Sequence, residues 1–381
     1  MADLSKLFHG APDGASFLDK LDLRPPKRTS LETARAKVRD TLRTAFAAGS
    51  KQQFGFVLEP KFFTQGSYAY KTINRPASPP KQQKDLDDGL YLPMSFVKGE
   101  RPSLAAATYF EFVDSILKRL CEAEGWTFDT RPTCARAVIA KDAHVDIPLY
   151  AIPDHEFRVM AKAAFSEQRV IMDSALKRRL DVWEALPSDQ VLLAHREEDW
   201  KTSDPRKIQR WFLSAVETYG EQLRRICRYL KAWRDHQGEA AEALSSICLM
   251  ACVFKVYADP QGAVLDRRDD RSLLTVAKRL ADLLSQPVLN PADPDEKLCA
   301  RLSDDDRRRI VDLAKVLAGD LQMAMDASDA ARSVLHLQNA FGPRLPDRLD
   351  LVILEQTVTS TVRSEPAKVM PAPVVGRRIS G

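Results

Sequence analysis

Apolar side chains recur along this chain with two different periods. Between residues 29 and 48, Leu31, Ala34, Val38, Leu42 and Phe46 return every three or four positions, which gives a helix one apolar face. Thr29 followed by Glu32 fits a capping box at its start. Upstream, residues 1–28 read as an extended arm in which Arg24-Pro25-Pro26-Lys27 breaks any helix. Ala107, Phe110, Val113, Ile116, Leu117 and Leu120 predict a second amphipathic helix over 104–123. Period two appears elsewhere. Phe62-Phe63 leads through a strand to Gly66, residues 126–130 and 135–140 alternate like paired strands, and Val145 and Ile147 flank Asp146 as a strand would. Pro148 marks the end of that strand or an edge position. The loop 75–84 holds three prolines and no periodicity.

The second half reads as mostly helical. Residues 206–236 form a long stretch interrupted near Gly220, with Ser203 or Asp204 as cap and Pro205 in the first turn. Further helices are expected over 244–257, 272–284, 303–317 and 320–336, the third opening on Asp304, Asp305 and Asp306, as the helix dipole favours. Strands with packed helices first and helices afterwards make an α+β chain. Its divisions fall at 1–158, 159–354 and a tail, 355–381, rich in small, basic and proline residues that form a poor core.

Charge narrows the partners. Across 381 residues, 57 basic against 53 acidic side chains leave a net charge of +4, too mild to require nucleic acid. No apolar run approaches the roughly 20 residues of a membrane span, and the first residues lack the basic start and apolar core of a signal peptide. Six irregularly spaced cysteines among apolar neighbours read as free thiols of a reducing cytoplasm.

The chemistry concentrates between Thr64 and Tyr91. Residues i and i+2 of a strand share a face, so Asp85 and Asp87 project together while Leu86 is buried behind them. Two hard carboxylates suit Mg²⁺, with Mn²⁺ as the alternative, and Asp146 on a neighbouring strand supplies a third. Gln65-Gly66-Ser67 supplies the other half: glycine lets backbone approach a phosphate, and the next amide and hydroxyl can donate to it. Singly these motifs are common, since Gly-Ser is usually a turn, Asp-x-Asp a solvated loop, and Asp88-Gly89 a turn signal. Their conjunction points to a metal-dependent nucleotide-transfer site.

QGSYAYKTIN, DLDDGLYLP and HVDIPLYA, followed by RYLKAWRD and ALSSICLM, resemble the DNA polymerase β-like nucleotidyltransferases, and within them the bacterial cGAS/DncV-like enzymes of anti-phage signalling systems. The resemblance runs from about Gly55 to Pro346. It implies a polymerase β-like palm, a mixed sheet with packed helices, plus a helical second lobe, and a cytoplasmic synthase joining ATP and GTP into a 3′,3′-linked cyclic dinucleotide. It implies a triphosphate-contacting Lys231 and Ser245, with Ser246 as the lesser candidate, and a base-stacking Tyr70. Asp204 matches a base-recognising position but reads equally as a helix cap, and Arg136 is a weaker match for a nucleotide contact. An effector activated by the cyclic product is implied downstream. So is a ubiquitin-activation-like partner acting on the C-terminus, for which Gly381 is the candidate conjugation site. The alternatives are a nucleotidyltransferase that tails RNA and a catalytically silent nucleotide sensor.

Overall fold

The structure is a computed structural model that describes residues 2–55, 57–95, 102–158, 186–198, 200–259, 268–300 and 302–354; the tail 355–381 with Gly381 lies outside the described residues. The residues expected to form an extended arm instead make a two-residue strand β1 (Ala2–Asp3) and two short helices, α1 (Ser5–Phe8) and α2 (Phe17–Leu21). Leu4, Leu7, Phe8, Phe17 and Leu21 are fully buried, which a free arm cannot achieve. Ser16 and Asp19 close a capping box on α2. Helix α3 (Pro25–Phe54) begins four residues before Thr29, at the prolines expected to stop it. In a first turn their missing N–H costs nothing, so they start the helix. Gly55, at φ 83°, ends it in the left-handed conformation.

Next come β2 (Lys61–Gln65), a single turn α4 (Gly66–Ala69), β3 (Lys84–Pro93), α5 (Pro102–Glu124), β4 (Thr127–Arg131), β5 (Cys134–Ala140), β6 (Ala143–Ile152), and two short strands, β7 (Leu192–Leu193) and β8 (Lys201–Thr202). The sheet runs β2-β3-β6-β5-β4, with β7 and β8 continuing from β6. Among the described strands of this sheet only β3 and β6 pair in parallel. The predicted apolar face of α3, Leu31 to Phe46, packs with Tyr109, Phe110 and Val113 of α5 against Leu86, Leu90, Val145 and Ile147 of the sheet. Each such side chain contributes about 1.5–3 kcal/mol on burial.

Two local signals give way here. Pro148 sits mid-strand in a fully buried β6, paired with Cys134 of β5. On its other side the β3 ladder passes directly from Asp87–Asp146 to Leu90–Leu149, so the missing N–H falls in a gap. Asp88-Gly89 is likewise mid-strand rather than a turn. A side chain on Gly89 would come within 2.9 Å of the stacked Tyr91 and Tyr150 rings. Asp88 is fully buried and held by Arg39 of α3 (Nε to Oδ2 2.6 Å) and by the Thr64 hydroxyl (2.9 Å).

The second lobe comprises α6 (Pro205–Tyr219), α7 (Glu221–Gln237), α8 (Ser246–Tyr257), α9 (Asp269–Ser285), the hairpin β9 (Val288–Asn290) and β10 (Asp293–Leu298), α10 (Asp304–Asp326) and α11 (Ala330–Phe341). The break at Gly220 is where the sequence reading puts it. The break expected near residue 318 is not: α10 runs through Gly319, and the next helix is capped by Asp329. Leu4 to Leu21 of the N-terminal segment pack into this lobe's core, Phe8 and Phe17 against Tyr229 and Phe341. A final strand β11 (Ile353–Leu354) pairs with β1. No described helix is long and apolar enough to cross a membrane. All six cysteines are free, five of them buried.

Candidate active site

The parallel pairing of β3 with β6 sets Asp87 opposite Asp146 and Asp85 opposite His144. Neighbouring strands lie about 4.8 Å apart, so residues from distant parts of the chain form one acidic patch on the sheet face away from α3 and α5. Arg136 of β5, the register partner of Asp146, grips that carboxylate with two 2.6 Å hydrogen bonds from Nε and Nη2. A carboxylate has about four lone-pair sites, so two remain for other partners. Burial, then the charges of Asp85 and Asp146, push the Asp87 carboxyl well above the usual carboxylate range; Arg136 opposes them.

The donor set fits a divalent cation. Asp85, His144 and Asp146 each offer a ligand atom, and the three atoms lie within 4.8 Å of one another. Asp85 Oδ1 is buried without a hydrogen-bond partner, an arrangement costly in the absence of a positive charge.

Gly66 forms the other wall. It adopts φ 70°, and a Cβ there would lie 2.0 Å from Asp87 Oδ2. Glycine is therefore required both for the turn and for the approach of the two strand ends. Only the turn Gly66–Ala69 is helical here; the chain then bends so that Thr72 and Ile73 N–H both donate to the Ser67 carbonyl. Helix α7 clasps this loop. Lys231 Nζ donates to the Thr72 carbonyl at 2.8 Å, Arg224 to that of Tyr70 at 3.0 Å, and Arg228 to Asn74 at 2.9 Å. Burial, with Arg234 nearby, lowers the Lys231 pKa to about 8.

A cleft of about 470 Å³ opens between these elements. Of the residues singled out from sequence, Gly66, Ser67, Tyr70, Asp85, Asp87, Arg136, Lys231 and Ser245 line it. Asp146 is buried beside them. Ser245 caps α8, its Oγ accepting from Cys248 N–H, and Ser246 accepts from Arg234. Tyr70 reaches the cleft but is largely buried against Phe212.

Three others lie off the cleft wall. Gln65 donates to the Tyr150 hydroxyl at 3.0 Å. Ser203 bonds through its N–H to the Val191 carbonyl, and the Asp204 side chain caps α6 while pairing with Arg206 at 2.7 Å. Sequence reasoning passed over His144, Arg234 and Gln83, which also line the cleft. The first had a signal: His144-Val145-Asp146 repeats the i, i+2 spacing of Asp85-Leu86-Asp87.

Comparison with known proteins agrees with this geometry. Residues 60–150 match the family model described as the nucleotidyltransferase domain of DncV-like cyclic GMP-AMP synthase, and residues 220–355 match the C-terminal domain of cyclic GMP-AMP synthase. A cyclic GMP-AMP synthase of Escherichia coli is 34% identical over 329 residues, covering 81% of this chain and 74% of that protein. One of Vibrio cholerae is 32% identical over 344 residues, covering 85% and 76%. The crystal structure of Vibrio cholerae DncV with the linear intermediate pppA(3′,5′)pG superposes with a TM-score of 0.77 at 26% identity, covering 93% of this chain and 99% of that one. The chain thus belongs to the DncV-like family of cyclic GMP-AMP synthases, nucleotidyltransferases of α+β fold.

Proposed function

We propose that this protein joins ATP and GTP into a 3′,3′-linked cyclic dinucleotide with release of two pyrophosphates. The observation that carries the reading is the convergence of Asp85, Asp87 and Asp146 on one sheet patch, faced by Gly66-Ser67 and Lys231. Mg²⁺ or Mn²⁺ held by the three aspartates would neutralise phosphate charge and acidify the attacking hydroxyl. Gly66 admits the donor phosphates to the backbone. Lys231 faces them as a point charge, and the Ser67 and Ser245 hydroxyls border the same space. Tyr70 and Arg136 lie where a nucleotide would rest, and Gln65, Ser203 and Asp204 act from behind the wall.

Asp146, oriented by Arg136, positions the acceptor 3′-hydroxyl and takes its proton as the oxygen attacks the α-phosphorus. The bond to the bridging oxygen then breaks and pyrophosphate leaves. Positioning and charge neutralisation supply most of the acceleration. The linear product turns over in the cleft, and its own triphosphate becomes the donor for ring closure.

The family resemblance extends this to anti-phage signalling in the cytoplasm, with a downstream effector activated by the cyclic product and with Gly381 as the target of a ubiquitin-activation-like partner. The test is incubation of the purified chain with Mg²⁺ and all four nucleoside triphosphates, phosphatase treatment, and mass spectrometry. Phosphatase-resistant cyclic GMP-AMP is expected. Linear products alone would overturn the cyclase reading.

A further inference from the structure

We infer that His144 is a fourth metal ligand of this cleft and that, with Asp85, it makes a mixed nitrogen–oxygen site selective for transition-metal cations over Mg²⁺. The inference rests on the metal-dependent reading above. In the parallel pairing of β3 and β6, three corners of a square are carboxylates and the fourth is this histidine, 6% exposed.

Its tautomer follows from its neighbours. Gln83 Nε2 donates to the Lys141 carbonyl at 3.2 Å, which turns Gln83 Oε1 toward the ring, 2.8 Å from His144 Nδ1. In the neutral ring Nδ1 then carries the proton and donates it to Gln83, which leaves a lone pair on Nε2. A ligating histidine is oriented in the same way, through a hydrogen bond from its other ring nitrogen.

That bare Nε2 lies 3.0 Å from Asp85 Oδ1 and 3.9 Å from Asp146 Oδ1. Neither Nε2 nor Asp85 Oδ1 has a hydrogen-bond partner. Two buried acceptors at this distance repel unless a positive charge joins them. Close as they are, neither counts as the other's hydrogen-bond partner; adjacent ligands of one ion are directed at the ion instead. Metal bonds of about 2.1 Å at right angles separate two ligand atoms by about 3.0 Å. Imidazole nitrogen favours borderline transition metals, while Mg²⁺ prefers oxygen alone.

Mn²⁺ is the probe, because its electron spin reports ligand nuclei directly. Pulsed EPR of the full-length chain loaded with Mn²⁺ should show an imidazole nitrogen coupling that changes when the histidines are labelled with ¹⁵N and disappears in His144→Gln. By calorimetry, His144→Gln should weaken Mn²⁺ binding by about tenfold and Mg²⁺ binding by less than about twofold. A nitrogen-free wild-type spectrum needs no variant, so it refutes the inference even if His144→Gln folds poorly. An Mn²⁺ spectrum free of nitrogen coupling, or a coupling that survives in His144→Gln, would overturn the inference. Asp85→Asn separates the two readings. Loss of Mn²⁺ binding there, with a nitrogen-free wild-type spectrum, sinks only the histidine ligand; Mn²⁺ binding unchanged by Asp85→Asn sinks the metal site altogether.

Discussion

Gly66→Ala should leave the protein folded and nearly inactive. Its φ of 70° is left-handed, and a non-glycine residue there costs roughly 1–2 kcal/mol. The new Cβ would meet Asp87 Oδ2 at 2.0 Å, and ordinary contact begins near 3.4 Å, so the carboxylate must retreat by about 1.4 Å. Because the obstacle is the end of a side chain, the fold yields cheaply: an off-rotamer Asp87 adds about 0.5–1.5 kcal/mol. Catalysis does not yield cheaply, since a misplacement of about 1 Å can cost about 10²-fold.

Pyrophosphate release from ATP and GTP should therefore fall about 10²-fold or more, near 2.7 kcal/mol of barrier. Unfolding temperature should fall by only about 2–8 °C. Asp87→Ala removes the contacts at 2.0 and 3.0 Å and leaves its Cβ at 3.3 Å. Combining the two substitutions should recover about 0.5–1.5 kcal/mol of stability relative to additivity. Full activity in Gly66→Ala, or strict additivity in the cycle, would refute the argument.

Three further outcomes follow from the same contacts. Arg39→Met strands the fully buried Asp88 carboxylate and should destabilise the protein by about 3–5 kcal/mol, read by denaturant unfolding; a loss below about 1 kcal/mol would mean that Thr64 suffices. The Asp87 carboxyl is raised, so the native state holds its proton over a range where the unfolded chain has lost it, and the charged form weighs against folding at neutral pH. Asp87→Asn, in chelator, should thus raise stability by about 0.5–2 kcal/mol at about pH 7.5, with the gain shrinking as pH falls, while abolishing turnover. Lys231 has a lowered pKa, so its charge costs stability below about pH 8 and is lost above it. The kcat/KM for nucleotide should decline as pH rises through about 8, and Lys231→Arg, whose guanidinium stays charged, should remove that decline.

How far the chain could be read in advance varies with the range of the interaction. The buried face of α3, that of α5 apart from the exposed Ala107, and the paired strands β4 and β5 were legible, because residues a few positions apart decide them. Prolines at 25 and 26 were misread for want of knowing where the helix began, and the cap reading of Asp204 is met, its carboxylate also pairing with Arg206. The N-terminal segment misled most. Leu4, Leu7, Phe8 and Phe17 find partners more than 200 residues away, and nothing local marks them as core.

The sequence alone determined the ingredients of the site: an Asp-x-Asp pair sharing one strand face, a glycine followed by serine, and a third aspartate between apolar neighbours. Tertiary structure decided their assembly. The parallel pairing of β3 with β6 brings Asp87 beside Asp146, the clasp of α7 on the loop after Gly66 carries Lys231 to the cleft, and the same pairing sets His144 opposite Asp85. Side-chain alternation is a property of a few adjacent residues, whereas strand register is chosen by burying whole apolar faces together across some sixty residues of intervening chain.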